Sequence, residues 1–595
     1  MRKYVLAIIG LVLLCLVAAL GTASGSASTF TVNTTDDTDD LTCDTSHCSL
    51  REAINAANSS PGSTIEFNIP LTDTGYQVSG ITGTWTISLT SSLPTLTGGG
   101  TIISGTTQPE GNPHGPEIEI SGADMGSGAC LRIESAGNVI HGLVINRCPD
   151  DGITIVGASA TTNTVSGNYI GTDASGSSDL VGNGTIGVEI REGAQGNVVG
   201  GDTPEERNVI SKNGQYGVSI NGSMSNTVSA NYIGTDVTGA LPGLGNGLDG
   251  VIIYGGAQHN TVGGDTEEER NIISDNGMDG VRIEGSSTTS NTISGNFIGT
   301  VVSGTQGLGN TNDGVRISAG ARNNTVGGAT EGKRNVIAAN RMGVNIVGSD
   351  TMSNTVSGNY IGTDASGSSD LGNVYNGVEI GSNAQNNTVG GQTALEGNVI
   401  SGNGRTGVHI GGAGTDGNTV SLNYIGTDET GTQALGNGWD GISIEDGPQN
   451  NTIGPDNLIA LNSSDGVEVR GTGTLTNTIT RNSIHSNVLL GIENVNGGNA
   501  ELTPPAISVA SCAAITGTAL PSATVEIFTG PDQEGKTYLA TASADGAGQW
   551  SVVGPFTIDV YVSATATDGS GNTSEFSAEV GTCHQSFLPL TVKNY

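Results

Sequence analysis

The stretch NTVSGNYIGTDASGSSDL, residues 163–180, occurs again without change at 354–371. A second unit recurs more loosely: NVVGGDTPEERNVIS from Asn197, NTVGGDTEEERNIIS from Asn260, NTVGGATEGKRNVIA from Asn324 and NTVGGQTALEGNVIS from Asn387. The steps between these are 63, 64 and 63 residues. Self-similarity at a fixed period is the mark of a solenoid or array. Each period holds two turns of chain, and each turn has three short apolar pieces: N-T-V/I, N-x-I and G-V-x-I. Asparagine opens the first piece from Asn163 to Asn477 and the second from Asn168 to Asn482, eleven times each. The pieces are too brief for helices and alternate as strands do. Three strands per turn, stacked on like strands above and below at ~4.8 Å, make a parallel β-helix. The asparagines then stack as side-chain amide ladders.

Further coils appear in GTIISG, EIEISG, CLRIES and GNVIHGLVIN, from about residue 100. The expectation is an all-β, right-handed parallel β-helix of about thirteen coils over 101–494. A solenoid needs capped ends. In SLREAINAAN, Leu50, Ala53, Ile54 and Ala57 form one helical stripe, and Ser49 with Glu52 forms a capping box. Residues 28–100 are therefore expected to be an N-terminal cap with a capping helix. Residues 495–505 have linker composition. Alternating strands follow over 506–583, predicting a small antiparallel sandwich.

Composition agrees with a thin, elongated core. Glycine is 96 of 595 residues, aromatics are 4% and charged residues 13%. The net charge of -37 argues against nucleic acid or an anionic membrane as partner. Arg2 and Lys3 precede an apolar run from Val5 to Leu20, with small residues up to Ala27. That is the pattern of a secretory signal peptide over 1–27, with no other span long enough to cross a membrane. Six cysteines remain, and three bridges are expected: Cys43–Cys48, Cys130–Cys148 and Cys512–Cys583. An apolar tail, FLPLTVKNY, ends the chain within 584–595.

The segment CSLREAINAAN resembles the CSLREA domain of exported bacterial β-helix proteins. The repeats around GNYIGTD and NTVGG…RNVIS are similar to right-handed β-helix repeats of the pectin-lyase-like fold. Residues 506–583 resemble bacterial Ig-like modules. The resemblance implies export and fold. That fold hosts lyases, hydrolases, epimerases, adhesins and tailspikes, so activity has to come from a site. Polygalacturonases of the fold use four motifs; Asp150-Asp151 offers the Asp-Asp, and the other three are absent.

Candidate sites follow from the predicted register. The outward position of the third strand forms a column that includes Glu189, Arg282, Arg316, Asn345, Glu379 and His409, a candidate ligand face. It ends in Glu468 and Glu493, adjacent carboxylates with near the spacing of a retaining glycosidase pair. The pair is expected to stand at the rod's end without a tryptophan. Tyr169, Tyr232, Phe297, Tyr360 and Tyr424 share one repeat position, which predicts packing beneath loops. In the D-A-S-G-S-S-D loops, Asp173 with Asp179 and Asp364 with Asp370 are candidate calcium ligands. The expected protein is a secreted or cell-surface monomer, a rigid scaffold binding extracellular polysaccharide or a cell-surface glycan. The alternative is a polysaccharide lyase or glycoside hydrolase.

Overall fold

The computed structural model describes residues 27–79, 82–109, 115–178 and 181–581. The expected leader up to residue 26, Asp179, Cys583 and the C-terminal tail lie outside the described residues.

The chain forms a right-handed parallel β-helix. First strands build a fifteen-stranded sheet from Thr29–Val32 to Thr478–Ile479. Second strands build another of fifteen, from Tyr76–Ser79 to Ser483–His485. Third strands build one of thirteen, from Leu131–Ile133 to Ile492–Val495. The first two sheets are longer because residues before 100 already contribute rungs: Thr29–Val32 pairs in parallel with Thr64–Phe67, and that strand with Ile102–Ser104. The register keeps like residues stacked, as in Val165 on Val199 and Ile190 on Ile220. Their side chains are fully buried in one continuous core.

The bends explain the glycines of the I-G-T sequence. Gly171 and Gly234 sit at φ 91°, where a side chain is strained. A Cβ on either would also lie within 2.1 Å of a carbonyl oxygen on a neighbouring coil.

At the N-terminal end, helix Leu50–Asn58 buries Leu50, Ala53, Ile54 and Ala57 over the first coils. The capping box is formed, with Ser49 N donating to Glu52 Oε2 at 2.8 Å. Cys43 is bonded to Cys48 and Cys130 to Cys148, with Cα separations of 4.2 and 5.5 Å. Cys512 has no bonded partner among the described residues.

At the other end, two antiparallel sheets of three and four strands enclose a core with Ile515, Trp550, Val525, Ile527 and Val562. They sit directly on the last coil. Arg481 N donates to Glu526 Oε2 at 2.9 Å, Ser486 N to Asp532 Oδ2 at 3.0 Å and Asn494 N to Glu575 Oε1 at 3.1 Å. Phe576 packs against the β-helix core. No helix among the described residues is long and apolar enough to cross a membrane.

Candidate functional site

The third-strand sheet carries the site. Its outward column runs in register through Glu189, Arg282, Arg316, Asn345, Glu379, His409, Glu468 and Glu493. All eight candidate residues therefore stand on one ladder, but they do not form one site.

On the earlier coils the column is tied into its own framework. Arg191 Nε reaches Glu189 Oε2 at 2.8 Å. Burial, then the Asp151 charge, pushes the Glu189 carboxyl up to about 7. Arg282 pairs with Glu284, Arg316 lies 3.5 Å from Asp313, and Asn345 donates to Asp313 at 2.6 Å. Beneath the column, the aspartates that precede glycine bond across the coils. Asp249 Oδ1 accepts the Asp279 N–H at 2.9 Å, and Asp279 Oδ1 accepts that of Asp313 at 3.0 Å. Each links its coil to the next. Burial, then the charges of Asp249 and Asp313, raises Asp279 to about 7.

On the last coils the column opens into a cleft of about 780 Å³. Glu379, His409, Glu468 and Glu493 line it, with Asp440, Glu445, Asp465 and Arg470. His409 Nδ1 donates to Glu379 Oε2 at 2.8 Å and Nε2 to Glu445 Oε1 at 2.9 Å. A ring that donates from both nitrogens is an imidazolium. Burial alone would lower its pKa, but the hydrogen bonds and charges of Glu379 and Glu445 push it up to about 10. Arg470 holds Glu468, with Nε 3.0 Å from Oε1. Burial raises the Glu468 carboxyl, as it does those of Asp465 and Glu493. Mutual charge adds to the effect on Glu493.

One wall corrects the expectation that the Glu468–Glu493 pair stands without a tryptophan. Trp439 lines the same cleft and is 51% exposed. The Arg405 guanidinium lies 4.8 Å from its ring and 4.3 Å from that of Tyr375, while Arg341 lies 5.3 Å from Tyr375. Backbone bonds keep the four in register: Tyr375 N to Arg341 O at 2.8 Å, Arg405 N to Tyr375 O and Trp439 N to Arg405 O at 3.1 Å. Sequence reasoning missed this column because it lies in the loop before the third strand. The constant place of its members three residues before Val344, Val378, Val408 and Ile442 was the available signal.

The other aromatic column is structural. Tyr232, Phe297 and Tyr360 are buried in one cluster and each is covered by an arginine, Arg207, Arg270 and Arg334, at 4.2 to 4.3 Å. The acidic loops turn inward as well. Asp364 Oδ1 accepts the N–H groups of Ser366, Ser368 and Ser369, each at 3.2 Å. Asp173 likewise accepts Ser175 N at 3.1 Å. Asp364 and Asp370 do not join any group of three or more ligand side chains. Among the described residues such a group is Asp40, His47 and Glu52 in the N-terminal region. There Glu52 is engaged by the helix cap, and Asp36 approaches His47 Nε2 at 3.2 Å.

The fold and this cleft define a parallel β-helix protein with a carboxylate-rich cleft on its third sheet. No known family and no curated protein matches the chain. Among solved structures it is similar to the A-module of the mannuronan C-5 epimerase AlgE6 of Azotobacter vinelandii, at 15% identity and TM-score 0.36, covering 73% of this chain and 93% of that one. It is also similar to the Dettilon tailspike protein, at 14% identity and TM-score 0.38, covering 89% and 87%. A third is the DFA-IIIase of Arthrobacter chlorophenolicus A6, at 13% identity and TM-score 0.28, covering 67% and 87%.

Proposed function

We propose that the protein is an exported, rigid β-helix scaffold that binds polysaccharide in the cleft lined by Glu379, His409, Trp439 and Glu468. The observation that carries this reading is the exposed Trp439, backed by Arg405 and facing a floor of carboxylates and the His409 imidazolium. An aromatic face takes the apolar side of a sugar ring, and carboxylates and guanidinium pair with its hydroxyls. Two disulfides suit an oxidising compartment outside the cytoplasm. A glycan array probed with the full chain tests the reading. Retention of a glycan that Trp439→Ala weakens at least tenfold is the expected result. Absence of retention across the array, or retention indifferent to Trp439→Ala, counts against it.

A second reading, glycosidic bond cleavage, is favoured by one observation. Asp465, Glu468 and Glu493 line the cleft together, and burial raises all three carboxyls. A retained proton next to an ionised carboxylate is what a glycosidase uses. Turnover by the wild type that Glu468→Gln with Glu493→Gln abolishes would establish this reading over pure binding.

A further inference from the structure

We propose that the cleft selects a neutral, hydroxyl-rich polysaccharide chain and rejects uronate polymers. This rests on the polysaccharide reading above and adds the chemical class.

Much of the charge in the cleft is already paired. Six carboxylates line the cleft: Glu379, Asp440, Glu445, Asp465, Glu468 and Glu493. Three cations face them: Arg405, His409 and Arg470. His409 is consumed by Glu379 and Glu445, and Arg470 by Glu468. That leaves Asp440, Asp465 and Glu493 without a cation of their own and Arg405 without an ion pair among the described residues. With Arg405 counted, the six carboxylates and three cations leave a net surplus of three negative charges facing an incoming carboxylate. Water is partly excluded here, so like charges repel more strongly than in bulk. A sugar hydroxyl meets no such penalty, since it donates to a carboxylate and accepts from Arg405.

The wall favours an extended chain over a single sugar. Arg341, Tyr375, Arg405 and Trp439 come from four successive coils, so the wall runs along the rod axis for three steps of ~4.8 Å each. Arg405, stacked between Tyr375 and Trp439, holds the indole in place before any ligand arrives. Little rotamer freedom is then left to lose on binding.

The experiment is titration calorimetry of the full chain with four probes: a neutral β-glucan, a neutral galactomannan, polygalacturonate and chitosan oligomers, each with chelator and with calcium. The expected result is binding of a neutral polymer that Trp439→Ala weakens at least tenfold, with polygalacturonate bound at least tenfold more weakly in both buffers. Asp465→Asn with Glu493→Gln removes two of the surplus charges and should bring polygalacturonate affinity closer to neutral. An asparagine side chain accepts the same inter-coil N–H at this position, as Asn376 does for Thr406, so the fold is kept. Polygalacturonate or chitosan binding more tightly than the neutral polymers overturns the neutral class but leaves the polysaccharide reading standing, provided Trp439→Ala releases it. If none of the four probes binds and the glycan array is also silent, the polysaccharide reading falls and this inference falls with it.

Discussion

His409 is gripped by a carboxylate on each ring nitrogen, one from the coil before and one from the coil after. The clamp therefore sews three coils together beneath the cleft. Its pKa stands above the ordinary 6.5, at about 10. The stabilisation is fully present below pH 6.5 and is lost as pH rises through 10, because the folded state is the one that holds the proton. Ring resonances followed by NMR should titrate near pH 10, and titration near 6.5 would show that the clamp is open in solution. Replacing the ring leaves two partly buried carboxylates facing each other. His409→Leu should destabilise the last coils by about 3 kcal/mol. Glu379→Gln with His409→Gln should recover part of that loss, since it restores neutral hydrogen bonding and leaves only the Glu445 charge, which Arg470 faces at 4.0 Å.

Three asparagine ladders lock the coils at their bends. One runs from Asn138 to Asn477, a second from Asn168 to Asn482 and a third from Asn183 to Asn487. In the second, Asn271 Nδ2 donates to Asn296 Oδ1 at 2.9 Å, and Asn296 Nδ2 donates to Asn335 Oδ1 at 3.1 Å. Asn296→Ala removes a ladder bond to each neighbouring coil, while Asn271 Nδ2 keeps Val228 O and Asn335 Oδ1 keeps the residue 296 N–H, so each lost bond costs about 1 kcal/mol. Because a coil touches only its neighbours, hydrogen exchange should speed up around 271–273 and 335–337 while distant coils keep their protection. Uniform loss of protection would mean that the ladder is not the local lock. The first two ladders were legible because a fixed V/I strand follows each asparagine. The third was hidden in Asn-Gly pairs such as Asn213-Gly214, which read equally well as turns. The cleft divides the same way. Glu379, His409, Glu468 and Glu493 could be counted along strands of constant spacing. Arg405 and Trp439 stand a constant three residues before those strands, but the Asn403-Gly404 and Asn437-Gly438 pairs ahead of them read as turns, so nothing marked them as a wall.

At the scale of the whole rod, the open question for any β-helix is what satisfies its last coil, whose strand edges would otherwise invite pairing with another chain. The helix at Leu50–Asn58 answers this at one end. At the other, the antiparallel sheets supply carboxylates to the orphaned N–H groups, and Glu534 terminates the third asparagine ladder by accepting from Asn487 Nδ2 at 3.2 Å. Residues 506–581 thus act as a cap, and the segment expected as a linker is part of the junction, with Asn499 donating to Thr573 O at 3.1 Å. This junction is pH-sensitive. Burial, then the Asp532 charge, raises Glu534 from 4.5 to about 7, against the pull of its bonds from Asn487. A raised carboxyl binds its proton better in the docked state than in the open one. Docking is therefore strongest below pH 4.5 and weakens as pH rises towards 7, by on the order of 3 kcal/mol. Glu534→Gln fixes the neutral form while keeping an acceptor for Asn487. In thermal unfolding followed through Trp550, buried in the capping sheets, the wild-type midpoint should fall between pH 5 and pH 8 and the variant's should stay flatter. Asp465 and Glu493 are also raised but face the cleft, so the variant leaves their titration in place. An unchanged slope in Glu534→Gln would move the pH dependence to that pair and away from the cap.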